Sequence, residues 1–215
     1  SISLYKVENK KEKIADFKAA ISSTVRSLSN SEKIEVSFGN DISKSERNSI
    51  RLPELSTINK KLNYNQIRAM ADSKSLRHRF SDPKTFKQYE PNGNISKQLY
   101  RISEKIRCEK IGTSYFKGVK NNIETFYQER ISSLDLKSSE DKIVESFENY
   151  LRTKFLDFEN NSQIDKKLKS YKKDLNEKFK DKIGQLNDLT LDQEKFNSLI
   201  SELIADMNLD ENLDE

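Results

Sequence analysis

Three charged residues, Glu104, Arg107 and Glu109, interrupt a stripe of apolar residues (Ile95, Leu99, Ile102, Ile106, Ile111) spaced by three to five as on a helix. Glu104 and Arg107 stand three apart and share a helix face, whereas Glu109 points elsewhere. Two carboxylates and one guanidinium in such a setting suit ion pairing or docking, not acid–base catalysis. A second charged group lies upstream: Arg68 and Asp72 are one helical turn apart, and Arg77 follows. Exposed, an Arg68–Asp72 pair adds a few tenths of a kcal/mol; buried, it would fix how two helices dock. His78 is the single histidine and Cys108 the single cysteine, which is too few for a nitrogen–sulfur metal cage or a Cys–His nucleophile. No GxxxxGK[ST] run occurs, so no P-loop holds a nucleotide. No catalytic, cofactor-binding or metal-binding residue is therefore expected in this chain.

The composition says what must position these groups. Of 215 residues 34% are charged, against roughly 25% in an average globular protein, and only 33% are hydrophobic. Five glycines and three prolines leave few helix breakers, while eleven Phe and eight Tyr supply a core and argue against disorder. A mainly α fold follows. The net charge of +4 comes from 39 basic and 35 acidic residues interleaved along the chain, which argues against a dedicated nucleic-acid surface. One cysteine points to a reducing compartment, and the absence of a long apolar run or signal-peptide pattern points to a cytoplasmic protein off the membrane.

The spacing predicts a first helix over Lys10–Asn30 (Ile14, Phe17, Ile21, Val25, Leu28), then a strand at Ile34–Gly39. Asn40–Asn48 is polar. A second extended segment, Ser49–Pro53, is expected to pair with the first as a long-looped hairpin, giving a small two-stranded element near 34–53. Helices then take over: one carries Ile67, Met70, Ala71 and Leu76 and stops before Asp82-Pro83. The helix bearing Glu104 is expected to close on Gly112. Tyr115–Arg130 is expected to be helical, and a long helical hairpin is expected over about 140–205. That hairpin includes one unbroken stripe from Ile164 through Leu168, Tyr171, Leu175, Phe179 and Ile183 to Leu186. A single helical domain thus spans 1–205. Residues 206–215, with five acids and no base, read as the start of an acidic linker.

Several blocks in order carry a resemblance: TVRSLS (24–29), EVSFG (35–39), RLPEL (51–55), R-x-x-A-D-x-x-x-L-R (68–77), E-x-x-R-x-E-x-x-G (104–112), GV-x-x-N (118–122) and DQ-x-x-F (192–196). Together they resemble the CobT family, a subunit of the aerobic, ATP-dependent cobaltochelatase. Where that family usually has glycine-histidine after the first arginine, this chain has Ala69-Met70, and Lys105-Ile106 replace glutamine-alanine. The resemblance implies an accessory subunit with no active site of its own. Its implied partners are an AAA+ ATPase (CobS-like) and a large corrin-binding subunit (CobN-like), in an oligomeric ring assembly that uses ATP, magnesium and cobalt. It also implies a von Willebrand A domain beyond the acidic linker, outside this sequence. On this reading Arg68, Asp72, Arg77, Glu104, Arg107 and Glu109 dock a partner or orient domains. Two other readings stand beside it: an AAA+-associated chaperone for another metalloprotein, and a helical adaptor or nucleic-acid-binding module using Lys166–Lys182.

Overall fold

A computed structural model describes residues 2–40, 48–58 and 61–209. With 71% of residues helical and strands confined to two-stranded sheets, the chain is mainly α. It divides into two compact units, Ser1–Arg79 with Asn121–Phe126, and Phe80–Lys120 with Tyr127–Glu215.

In the first unit, α1 (Ile2–Ser29) is longer than the expected Lys10–Asn30 helix, but only its C-terminal half is buried, through Ile21, Val25 and Leu28. That half meets β1 (Glu35–Phe38), β2 (Ser49–Leu52) and α2 (Tyr64–Phe80) in a core of Ile21, Val25, Ile34, Phe38, Ile50, Leu52, Ile67 and Ala71. The expected hairpin is not what forms: β1 and β2 pair in parallel. The register sets Val36 beside Ile50 and Phe38 beside Leu52. It brings the two alternating patterns into step, so both strands turn Ile50, Leu52 and Phe38 to one core. The Asn40–Asn48 segment expected to join them lies mostly outside the described residues. A short antiparallel pair, β3 (Thr57–Ile58) with β4 (Lys61–Leu62), also forms where the sequence reading assigned no element.

The second unit is built around α4 (Asn94–Tyr115), which packs on α6 (Ser139–Lys154) and α10 (Gln193–Ala205). Before it comes α3 (Pro83–Gln88), which begins where a helix can begin cheaply. Pro83 sits in its first turn, and the Asp82 carboxylate accepts hydrogen bonds from the Thr85 amide (3.0 Å) and hydroxyl (2.7 Å). The α4 helix does not close on Gly112: it continues to Tyr115, with the Gly112 carbonyl accepting the Phe116 amide. The turn is made instead by Gly118, whose φ of 86° suits glycine, so α5 starts at Val119 and runs to Ser132.

The long stripe is also interrupted. It forms α7 (Ser162–Lys167), α8 (Lys169–Phe179) and α9 (Ile183–Asp188). Its members Ile164, Leu168, Leu175, Phe179 and Leu186 are nonetheless buried, so the expected simple hairpin over 140–205 is replaced by five shorter helices around the same apolar line. Phe179 lies edge-on to Phe147 and Tyr150 of α6, at 5.9 and 6.0 Å, which seats α8 on α6. No helix among the described residues is long and apolar enough to cross a membrane.

One backbone position is testable. Gly39 closes β1 with φ at 65°, its amide donates to the Leu52 carbonyl at 2.8 Å, and an added Cβ would lie 3.1 Å from the Glu54 Cβ. Gly39→Ala is expected to cost about 1–2 kcal/mol. Urea unfolding followed by circular dichroism measures it; an unchanged midpoint would contradict the strained geometry.

Candidate functional site

Of the six charged residues singled out, Arg68, Asp72 and Arg77 lie in the first unit, and Glu104, Arg107 and Glu109 in the second. Each group has its own logic.

In the second unit, Glu104 and Arg107 are fully buried on α4. The guanidinium Nε donates to one Glu104 oxygen at 2.7 Å and a terminal nitrogen to the other at 3.0 Å, a two-pronged pair. Two further hydrogens reach the Thr190 carbonyl (2.8 Å) and the Phe80 carbonyl (2.7 Å). Glu104 accepts in turn from the Asn197 amide at 3.0 Å and from the Ser81 hydroxyl. Gln193 completes the ring by donating to Asn197 (3.2 Å) and accepting the Asp82 amide (2.7 Å). One ion pair thereby ties α4 to the end of α2, the start of α3, the loop before α10 and α10 itself. Burial alone would lower the Arg107 pKa, but the Glu104 carboxylate more than offsets it and holds the group above its usual value.

Glu109 points away from this pair, as the spacing predicts, and accepts from Arg152 of α6 at 2.7 Å. The chain of charge continues there. Arg152 donates to Glu148 at 2.8 Å, Glu148 accepts from Arg130 at 3.2 Å, and Arg130 grips Glu145 through two bonds of 3.0 Å. The Arg152 guanidinium also lies 5.0 Å from the Tyr127 ring and 5.5 Å from that of Phe158. Burial pushes the Glu148 carboxyl up, yet the attraction of Arg152, Arg130 and Lys105 outweighs it and holds the pKa at about 2. The same carboxylates keep Arg152 above its usual range despite burial. Arg130, Glu145, Glu148 and Arg152 were not among the sequence candidates. The i,i+4 spacing of Glu148 and Arg152 was the one available signal, and nothing in it distinguishes this pair from many exposed ones.

In the first unit the expected Arg68–Asp72 pairing takes a different form. Asp72 is buried and accepts from the Asn122 amide at 3.0 Å, while exposed Arg68 sits 5.1 Å from the Phe17 ring. Burial raises the Asp72 pKa to about 6, against the lowering influence of Asn122 and Arg68. Arg77 is half-buried on α2. Beside it, His78 holds a buried Nδ1 with no hydrogen-bond partner among the described residues. No group of three or more His, Cys, Asp or Glu among the described residues is placed to hold a metal ion.

Buried carboxylates and guanidiniums that satisfy one another cannot meet a partner or a substrate directly. What Glu104, Arg107 and Glu109 can do is set helix register. Removing one member of a buried pair strands the other, at about 3–5 kcal/mol, whereas replacing both by apolar groups costs far less. Arg107→Met is thus expected to destabilise the protein by that amount, and Glu104→Leu/Arg107→Met to recover most of it. Equal losses for the single and double variants in urea titrations would refute the coupling.

The sign for Asp72 is opposite. A carboxyl whose folded pKa is raised from 3.8 to about 6 contributes stability below pH 4 and loses it as pH rises through 6. That gap corresponds to about 3 kcal/mol. Asp72→Asn is expected to be more stable than the parent at pH 7.5 by up to this amount and equal to it at pH 3.5. A stability difference independent of pH would overturn the assignment.

Among known families, the model described as cobalamin biosynthesis protein CobT aligns with residues 11–215. No solved structure matches the chain.

Proposed function

The chain belongs to the CobT family of cobalamin biosynthesis proteins, and from that premise we propose that it is the coupling subunit of a cobaltochelatase. In this reading the complex inserts cobalt, its substrate, into hydrogenobyrinic acid a,c-diamide, forming nitrogen–metal bonds at the expense of ATP. An AAA+ subunit of the CobS type binds ATP and magnesium, and a large subunit of the CobN type holds the corrin. This chain contributes a scaffold between them, without catalytic residues of its own. The observation that carries the proposal is the family match over nearly the whole chain. The absence of a P-loop motif in the sequence supports a division of labour in which nucleotide is hydrolysed elsewhere.

The two buried charge chains on α4 support a mechanical role. A helix pinned on one side by Glu104–Arg107 and on the other by Glu109–Arg152 moves with its neighbours rather than past them. Force applied to one helix is then delivered to the others. Arg68 and Arg77, which are exposed and half-buried, are the members of the predicted set able to touch a partner.

The test is reconstitution. Co-expression with the ATPase subunit is expected to yield a co-purifying complex, and adding the large subunit should give ATP-dependent cobalt insertion that is absent without this chain. Arg68→Glu is expected to weaken capture of the ATPase about tenfold with unchanged helicity. Cobalt insertion at full rate in the absence of this chain would overturn the proposal.

A further inference from the structure

Alongside α8 a shallow, open cleft of about 300 Å³ lies between that helix, the C-terminal end of α6 and the start of α7. Lys154 comes from α6, and Lys169, Lys172 and Lys173 come from α8. Asp165 is the one carboxylate on the lining, and it is already bonded to Lys172. Lys154, Lys169 and Lys173 are exposed and form no ion pair among the described residues. Asp174, the next residue along α8, lines a different groove, with Ile143 and Met207. Lys169 and Lys173 are one turn apart on the same face, an arrangement that costs a helix a few tenths of a kcal/mol through like-charge repulsion.

A neutral donor completes the site. The Tyr150 hydroxyl donates to the Asn176 side-chain oxygen at 3.2 Å, and Asn176, whose amide NH2 can donate, lines the cleft. Three ammonium groups on flexible stems, lining one groove with an amide, match a compact anion carrying several tetrahedral oxyanion groups. The wall offers no exposed aromatic face on which a nucleobase or an extended strand would stack.

We infer that this cleft binds a small, multiply charged phosphate compound, such as a di- or triphosphate, through Lys154, Lys169 and Lys173. The inference is read from this fold alone. Its assay needs no partner subunit, so failure of the chelatase reading would leave it standing.

The test is calorimetric titration of the 215-residue chain with inorganic tripolyphosphate, with ATP, citrate and a duplex DNA as parallel arms. The expected result is saturable one-to-one binding of tripolyphosphate that weakens as salt rises. ATP should bind with similar affinity, showing that phosphates alone are read, and citrate at least tenfold more weakly. Lys169→Glu/Lys173→Glu should lower tripolyphosphate affinity about tenfold or more, with unchanged circular dichroism. Lys33→Glu, an exposed lysine of the first unit, should leave it unchanged. Absence of saturation at millimolar tripolyphosphate, or equal loss in the Lys33→Glu variant, overturns the site. Citrate binding as tightly as tripolyphosphate, or a hundredfold preference for DNA, overturns the ligand class.

Discussion

The two-pronged bond between Arg107 and Glu104 is the interaction on which the second unit turns. A guanidinium taken out of water is costly unless every hydrogen finds an acceptor. Here Glu104, Thr190 and Phe80 supply acceptors while Ser81 and Asn197 donate to the same Glu104 carboxylate, so four separate pieces of chain take part. The pair can be satisfied only when those pieces are all in place. That requirement converts a local i,i+3 contact into a constraint on the packing of α3, α4 and α10.

The second charge chain obeys the same rule with a different architecture. Glu109, Arg152, Glu148, Arg130 and Glu145 alternate in sign, so each charge has an opposite neighbour. The Tyr127 and Phe158 rings cover the Arg152 guanidinium and exclude water from it. Ion pairs of this kind do not maximise stability, since apolar residues of the same shape often do better. What they favour is one helix register over its neighbours, which suits a component that must hold shape while a motor acts on it.

Much of this was legible in the sequence. The apolar spacing located the core face of nearly every helix, and the three-residue step from Glu104 to Arg107, with Glu109 turned away, anticipated how their partners divide. Burial was not legible, because charged residues at helical spacing look the same whether the facing surface is water or another helix; only the docked positions of Thr190 and Asn197 decide it. The parallel pairing of β1 with β2 was hidden for a related reason. Alternation reports which residues face the core but not which way a short strand runs. The stripe from Ile164 to Leu186 carries no proline, and its one glycine, Gly184, lies within α9, so no helix breaker in the sequence marks the interruptions after Lys167 and Phe179.

Cys108 adds a practical property. Its thiol is fully enclosed, next in sequence to Arg107 and 3.9 Å from that guanidinium. A reagent such as a maleimide can reach the sulfur only when α4 parts from its neighbours. The rate of alkylation therefore clocks spontaneous opening of the α4 packing, without any label having to be engineered into the chain.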